Sequence, residues 1–85
     1  MSYRIIWSDK SRKDLAGIDP SISARIISKV EDSRENPFLF VKRLKGIALY
    51  SLRIGDYRAI LDIENKKMVV LVVEVGHRRS IYKGV

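Results

Sequence analysis

Leu49-Tyr50-Ser51-Leu52-Arg53-Ile54-Gly55-Asp56-Tyr57-Arg58-Ala59-Ile60-Leu61-Asp62-Ile63 is the stretch whose reading decides the fold. Its first part alternates with period two. Tyr50, Leu52 and Ile54 point one way, Ser51 and Arg53 the other. Gly55-Asp56 signals a turn. Beyond it, Tyr57, Ala59, Leu61 and Ile63 share a face suited to a core, and Arg58, Ile60 and Asp62 share the opposite face. Downstream, Asn65-Lys66-Lys67 is a second turn. Residues 68–75 are nearly all apolar, as expected of a strand covered on both faces. The chain then leaves the sheet through Gly76-His77-Arg78-Arg79-Ser80-Ile81-Tyr82-Lys83. Arg53, Arg58, His77, Arg78 and Tyr82 are therefore expected to line one concave surface, with Asp62 and Glu74 at its margin.

Upstream, Lys42, Arg43 and Lys45 form a basic segment leading into the first of these strands. Phe38 and Phe40 are expected to pack beneath helices. Ile22, Ile26, Ile27 and Val30 make an apolar stripe at helical spacing. Asp19-Pro20 opens that helix well, with Asp as cap and Pro in the first turn. Asn36-Pro37 ends it, because the residue before proline is disfavoured in the α region. Ser8 or Asp9 can cap an earlier helix running to about Ile18, with Leu15 and Ile18 inward. Residues 3–7 read as a first strand. The expected fold is α+β: an N-terminal strand, a helical hairpin, then a three-stranded antiparallel meander, with the helices packed on one face. No repeat or linker divides residues 1–85, which form a single domain.

The composition narrows the function. Eighty-five residues, 46% of them hydrophobic, are enough for one domain with a modest core. With no cysteine there are no disulfides and no thiolate metal sites. The start of the chain lacks the apolar segment of a signal peptide, and no apolar run is long enough to cross a bilayer. The expectation is a cytoplasmic protein with no membrane partner. The net charge of +7 is unevenly placed. Residues 1–37 carry net +1 and residues 38–85 net +6, so the excess lies on the sheet half. That favours a polyanionic partner, nucleic acid or an acidic protein, over a merely solvated basic surface.

Three motifs carry a family resemblance. They are Leu44-Lys45-Gly46 followed by Leu49-Tyr50-Ser51-Leu52-Arg53, then Gly55-Asp56-Tyr57-Arg58, then Val75-Gly76-His77-Arg78-Arg79-Ser80-Ile81-Tyr82. In this order and spacing the chain resembles the RelE/ParE superfamily of toxins from type II toxin–antitoxin systems, and most closely its RelE-like messenger-RNA interferases. The resemblance covers almost the whole chain. It implies a ribosome-dependent endoribonuclease that cuts mRNA in the decoding site and so inhibits translation. It implies a RelB-like antitoxin partner, with ribosome and mRNA as targets, and a toxin–antitoxin complex that binds operator DNA through the antitoxin. RelE-like members carry two basic residues, two apart, on the strand after the LxG turn. Here those positions are Ser51 and Arg53, so one is lost. Arg58 matches the arginine of the GxYR turn, Arg78 the arginine after the last strand, and Tyr82 the C-terminal tyrosine. The spacing from Arg78 to Tyr82 is shorter than in some relatives.

Metal-free RNA cleavage must remove a proton from the 2′-hydroxyl, stabilise phosphorane charge and protonate the leaving 5′-oxygen. Asp62 and Glu64 are an ordinary strand pair, so no magnesium site and no cofactor is expected. Arginine stays protonated and cannot act as a base. Arg53, Arg58 and Arg78 suit phosphate clamping and transition-state charge. His77 has the only side chain with an unperturbed pKa near neutrality. Tyr82 starts near a pKa of about 10, which clustered arginines would lower. His77 and Tyr82 are expected to share acid and base work, in either assignment. Lys42, Arg43, Lys45, Ser51, Arg79 and Lys83 are expected RNA contacts, mostly to the sequence-independent backbone. Two alternatives share the fold: a ParE-like poison of DNA gyrase, and a catalytically inactive RelE-fold binding module.

Overall fold

The computed structural model describes residues 2–77. In chain order the elements are β1 (Arg4–Trp7), α1 (Asp9–Ala16), α2 (Pro20–Asp32), two 3₁₀ turns (Ser33–Glu35 and Pro37–Leu39), β2 (Val41–Arg43), β3 (Tyr50–Ile54), β4 (Tyr57–Glu64) and β5 (Val69–His77). The strands make one sheet in the order β1-β5-β4-β3-β2. β1 runs parallel to β5 and the other neighbours are antiparallel. This is the expected α+β architecture with one strand more: the basic segment pairs with β3, so the meander has four strands. Three residues are too few to show a period-two pattern, and β2 forms because β3 offers it an open edge.

The caps follow the local chemistry. Ser8 is the N-cap of α1 and its side chain accepts from the Ser11 N–H. Asp19 caps α2 through the Ser21 N–H, with Pro20 in the first turn. Its bonds to the backbone and hydroxyl of Ser21 hold the Asp19 carboxyl below the ordinary aspartate pKa. α1 ends at Ala16, two residues earlier than the apolar pattern suggests, with Gly17 as C-cap. No helix among the described residues is long and apolar enough to cross a membrane.

Both helices contribute to one core. Ile26 and Val30 of α2 meet Leu52, Ala59, Leu61, Val70, Val72 and Val75 of the sheet, and Leu15, Ile18, Ile22 and Trp7 pack around them. Ile27 is 40% exposed. One residue on from Ile26 is a rotation of about 100°, which carries it out of the stripe. Phe38 and Phe40 are also on the surface, not beneath the helices. The Pro37 turn swings them outward. Phe38 lies edge-on to Tyr3 and Tyr50, and the Lys29 ammonium sits 5.4 Å from the Phe40 ring centre.

β5 contains a bulge. Leu61 stands opposite Val72, but Ile60 stands opposite Glu74, so Val73 is an extra residue. Val72 and Val75 can then both face the core, which strict alternation forbids. The bulge also settles which face the end of β5 serves.

Candidate functional site

Gly55 adopts φ 59°, a conformation glycine takes at no Cβ cost, and closes a two-residue turn between β3 and β4. The tight turn fixes register. Arg53 comes directly opposite Arg58, and Ser51 opposite both Ile60 and Lys42. Cross-strand partners share a face. The face of the sheet opposite the core thus carries Lys42, Ser51, Arg53, Arg58 and Ile60 together. Arg53 Nε donates to the Gly55 carbonyl at 3.1 Å, which holds its guanidinium over the turn.

Lys42, Ser51, Arg53 and Arg58 border a cavity of about 410 Å³. Its lining includes Lys42, Arg43, Ser51, Arg53 and Arg58, with Leu39, Phe40 and Leu44 as apolar walls and no acid. Four cations around one concavity make a ready anion site, with guanidinium groups suited to bidentate phosphate contacts. Ser51 is 6% exposed, and its hydroxyl has no hydrogen-bond partner among the described residues. A buried unpaired hydroxyl inside such a site is a candidate substrate contact. A second cavity of about 500 Å³ lies across Arg53, between α2 and the β3–β4 turn, bordered by Arg25, Lys29 and Asp32.

The structure gathers Lys42, Arg43, Ser51, Arg53 and Arg58 as expected. Lys45 is exposed in the loop beyond β2 and is absent from the cavity lining. His77 does not join the group. The bulge sets it opposite Tyr57, in the row of Ile54 on the helix side, and its ring stacks edge-on against Tyr57 with centroids 5.5 Å apart. Gly76, which has no side chain, takes the place beside Arg58. Period-two counting from residues 68–75 puts His77 with the arginines, and the one extra residue reverses this. Arg78, Arg79, Tyr82 and Lys83 lie outside the described residues. Leu39, Phe40 and Leu44 belong to the site but carry no motif. Their one signal in the sequence is an apolar run set directly against a basic one.

Comparison with known proteins extends over nearly the whole chain. Residues 5–82 match the family model described as the ParE toxin of the type II toxin–antitoxin system parDE. Toxin RelG of Mycobacterium tuberculosis is 28% identical over 86 residues, covering 98% of this chain and 99% of that protein. The mRNA interferase toxin RelE of Escherichia coli is 24% identical over 81 residues, covering 92% and 85%. Among solved structures, a RelBE toxin–antitoxin complex from Mycobacterium tuberculosis superposes with a TM-score of 0.86 at 26% identity, over 92% of this chain and 93% of that one.

Proposed function

The chain belongs to the ParE toxin family, within the RelE/ParE superfamily of type II toxin–antitoxin systems, and from that premise we propose that it is an endoribonuclease that cuts mRNA on the translating ribosome. The observation that carries this reading is the Arg53–Arg58 pair. The two arginines are register partners across the β3–β4 hairpin and border a cavity whose lining holds four cations and no acid, so the site calls for an anion. A phosphodiester fits that need, and the relatives named as mRNA interferases supply the substrate class.

In this reading Arg53 and Arg58 bind the scissile phosphate and stabilise the charge that builds as the 2′-oxygen attacks phosphorus and the 5′-oxygen leaves. Arg78 adds a third cation from the segment after β5. The arginines supply the charge stabilisation, so the reaction is read as independent of metal. Proton transfer falls to Tyr82. His77 stands on the other side of the sheet end against Tyr57, and its contribution is to the shape of that end. Lys42 and Arg43 hold flanking phosphates, and the apolar wall of Leu39 and Phe40 offers a surface on which bases can stack. With few acid–base groups of its own, the site relies on the ribosome to orient the mRNA. The protein then acts in the cytoplasm. A RelB-like antitoxin, as in the similar complexes, would cover the basic cavity, and the pair would bind operator DNA through the antitoxin.

The family model matched is that of ParE, which keeps a gyrase-poison reading in play. A primer-extension assay on a translating mRNA separates the two, with wild type beside Arg58→Ala and Tyr82→Phe. Codon-phased cuts that weaken in both variants support the nuclease. Absence of cuts, with DNA supercoiling impaired, overturns it in favour of the gyrase poison.

A further inference from the structure

β5 outruns its parallel neighbour. β1 ends at Trp7 opposite Val72, whereas β5 continues to His77. From Val73 onward the outer edge of β5 has no strand beside it among the described residues. Bare edges and bulges fray unless their backbone groups are satisfied. α1 supplies the missing partners. Ser8 Oγ donates to the Val73 carbonyl at 2.7 Å while accepting from the Ser11 N–H at 3.0 Å. Asp14 Oδ2 accepts from the Val75 N–H at 3.0 Å. The Asp14 side chain is only 20% exposed, and its other oxygen meets Lys10 Nζ at 3.1 Å. Lys10 also reaches Glu74 at 3.6 Å. The hydrogen bond and charge of Asp14 raise Lys10 above the ordinary lysine range.

The burial of both Val72 and Val75 selects the bulge, and α1 then holds its open edge. What lies beyond is the end of the strand, with Gly76 beside Arg58 and His77 beside Tyr57; in sequence, Arg78 follows directly. We propose that Asp14, with Ser8, is a positioning residue of the catalytic site: its carboxylate accepts the Val75 N–H at the outer edge of β5 and fixes the end of that strand, the residues that directly precede Arg78 and Tyr82 in sequence. The inference rests on the nuclease reading. Its geometry lies on α1, outside the basic cavity, so a defect would be one of turnover rather than of binding. Small displacements of a reacting group cost up to about a hundred-fold in rate.

The test uses the full chain as wild type, Asp14→Ala, Asp14→Asn, Ser8→Ala and Lys10→Ala. Three quantities are read: single-turnover cutting of ribosome-bound mRNA at saturating toxin, affinity for the ribosome, and amide exchange across residues 73–77. Asp14→Ala should expose the Val75 amide and slow cutting by about ten- to a hundred-fold, with ribosome affinity unchanged. Asp14→Asn keeps an acceptor oxygen and should restore cutting to within about three-fold, because the bond needs an acceptor and not a charge. Lys10→Ala removes only an exposed ion pair and should cut as wild type. Ser8→Ala, acting at Val73, should reproduce the loss of exchange protection and the slower turnover if Asp14→Ala does not fold. Wild-type turnover in a folded Asp14→Ala protein overturns the proposal, as does equal loss in the Asn variant. A wild-type protein that cuts no mRNA overturns the nuclease reading and the catalytic half of this one. That failure is recognised because protection of the Val75 amide then still depends on Asp14.

Discussion

Across β3 and β4 the same two strands present Leu52 and Ala59 to one side and Arg53 and Arg58 to the other. The first pair is buried under α2 with Ile26 and Val30. The second borders a cavity with Lys42 and Arg43 whose lining includes no residue of α1 or α2. Contact with the helices stabilises the first face. The second sets two arginines opposite each other and buries a hydroxyl that has no hydrogen-bond partner among the described residues, features that do not serve folding. A small domain keeps such features when a ligand compensates for them, so the covered face accounts for folding and the open face for function. Substitutions on the two faces should therefore fail in different assays.

The largest effect belongs to the covered face. Leu61 is fully buried opposite Val72. Leu61→Ala should lower unfolding stability by about 2–5 kcal/mol, as cavity-forming changes do. That is a large part of the margin of a domain this size. Urea titration gives the loss, and cutting per folded molecule should stay near wild type. A specific activity that falls with stability would break the division between faces.

Arg58→Ala is the converse. Removing one transition-state charge should slow mRNA cutting by about a hundred-fold, or about 2.7 kcal/mol. Unfolding stability should change far less than in Leu61→Ala, because relief of the like-charge neighbour Arg53 offsets the contacts that the side chain gives up. His77→Gln sharpens the contrast. It loses the edge-on contact with Tyr57, worth about 0.5–1.5 kcal/mol, and should change cutting by less than about ten-fold. A hundred-fold loss in His77→Gln would return His77 to proton transfer.

Ser51 tests the open face more gently. Its hydroxyl is buried without a partner among the described residues, so Ser51→Ala should raise stability by about 1 kcal/mol. In a domain of this size that is a rise in Tm of about 4–8 °C. The same change should weaken RNA cutting if the hydroxyl meets substrate. A variant that is both more stable and as active would mean that Ser51 serves neither role.

The elements legible in the sequence are those whose signal is local. Asp19-Pro20, the Ile26–Val30 spacing and the Gly55-Asp56 turn each dictate their own geometry, and through the turn they place Arg53 opposite Arg58. What depends on a distant partner was not legible. β2 is three residues that become a strand only beside β3. The outward turn of Phe38 and Phe40 depends on Tyr3, Tyr50 and Lys29. The face taken by His77 depends on a bulge whose edge is held by Ser8 and Asp14, more than sixty residues away. Counting by twos through residues 68–77 cannot detect one extra residue, and that single residue moves the histidine from one face to the other.

The smallest effect again divides the faces, through pH. The Asp19 carboxyl caps α2 and is held below its unfolded pKa by the backbone and hydroxyl of Ser21. A group lowered in this way stabilises the fold above its unfolded pKa of about 3.9, and that contribution fades as pH falls through the lower folded value. Asn at this position still accepts the capping bond but does not titrate. Asp19→Asn should therefore match wild type near neutrality and lose less Tm on acidification below about pH 4. The arginines opposite stay charged throughout this range. Acid should thus loosen the helix layer while leaving the anion site's own charge intact. RNA binding that declines in step with the cap, while the fold is still intact, would show that the two faces of the sheet are coupled and not independent.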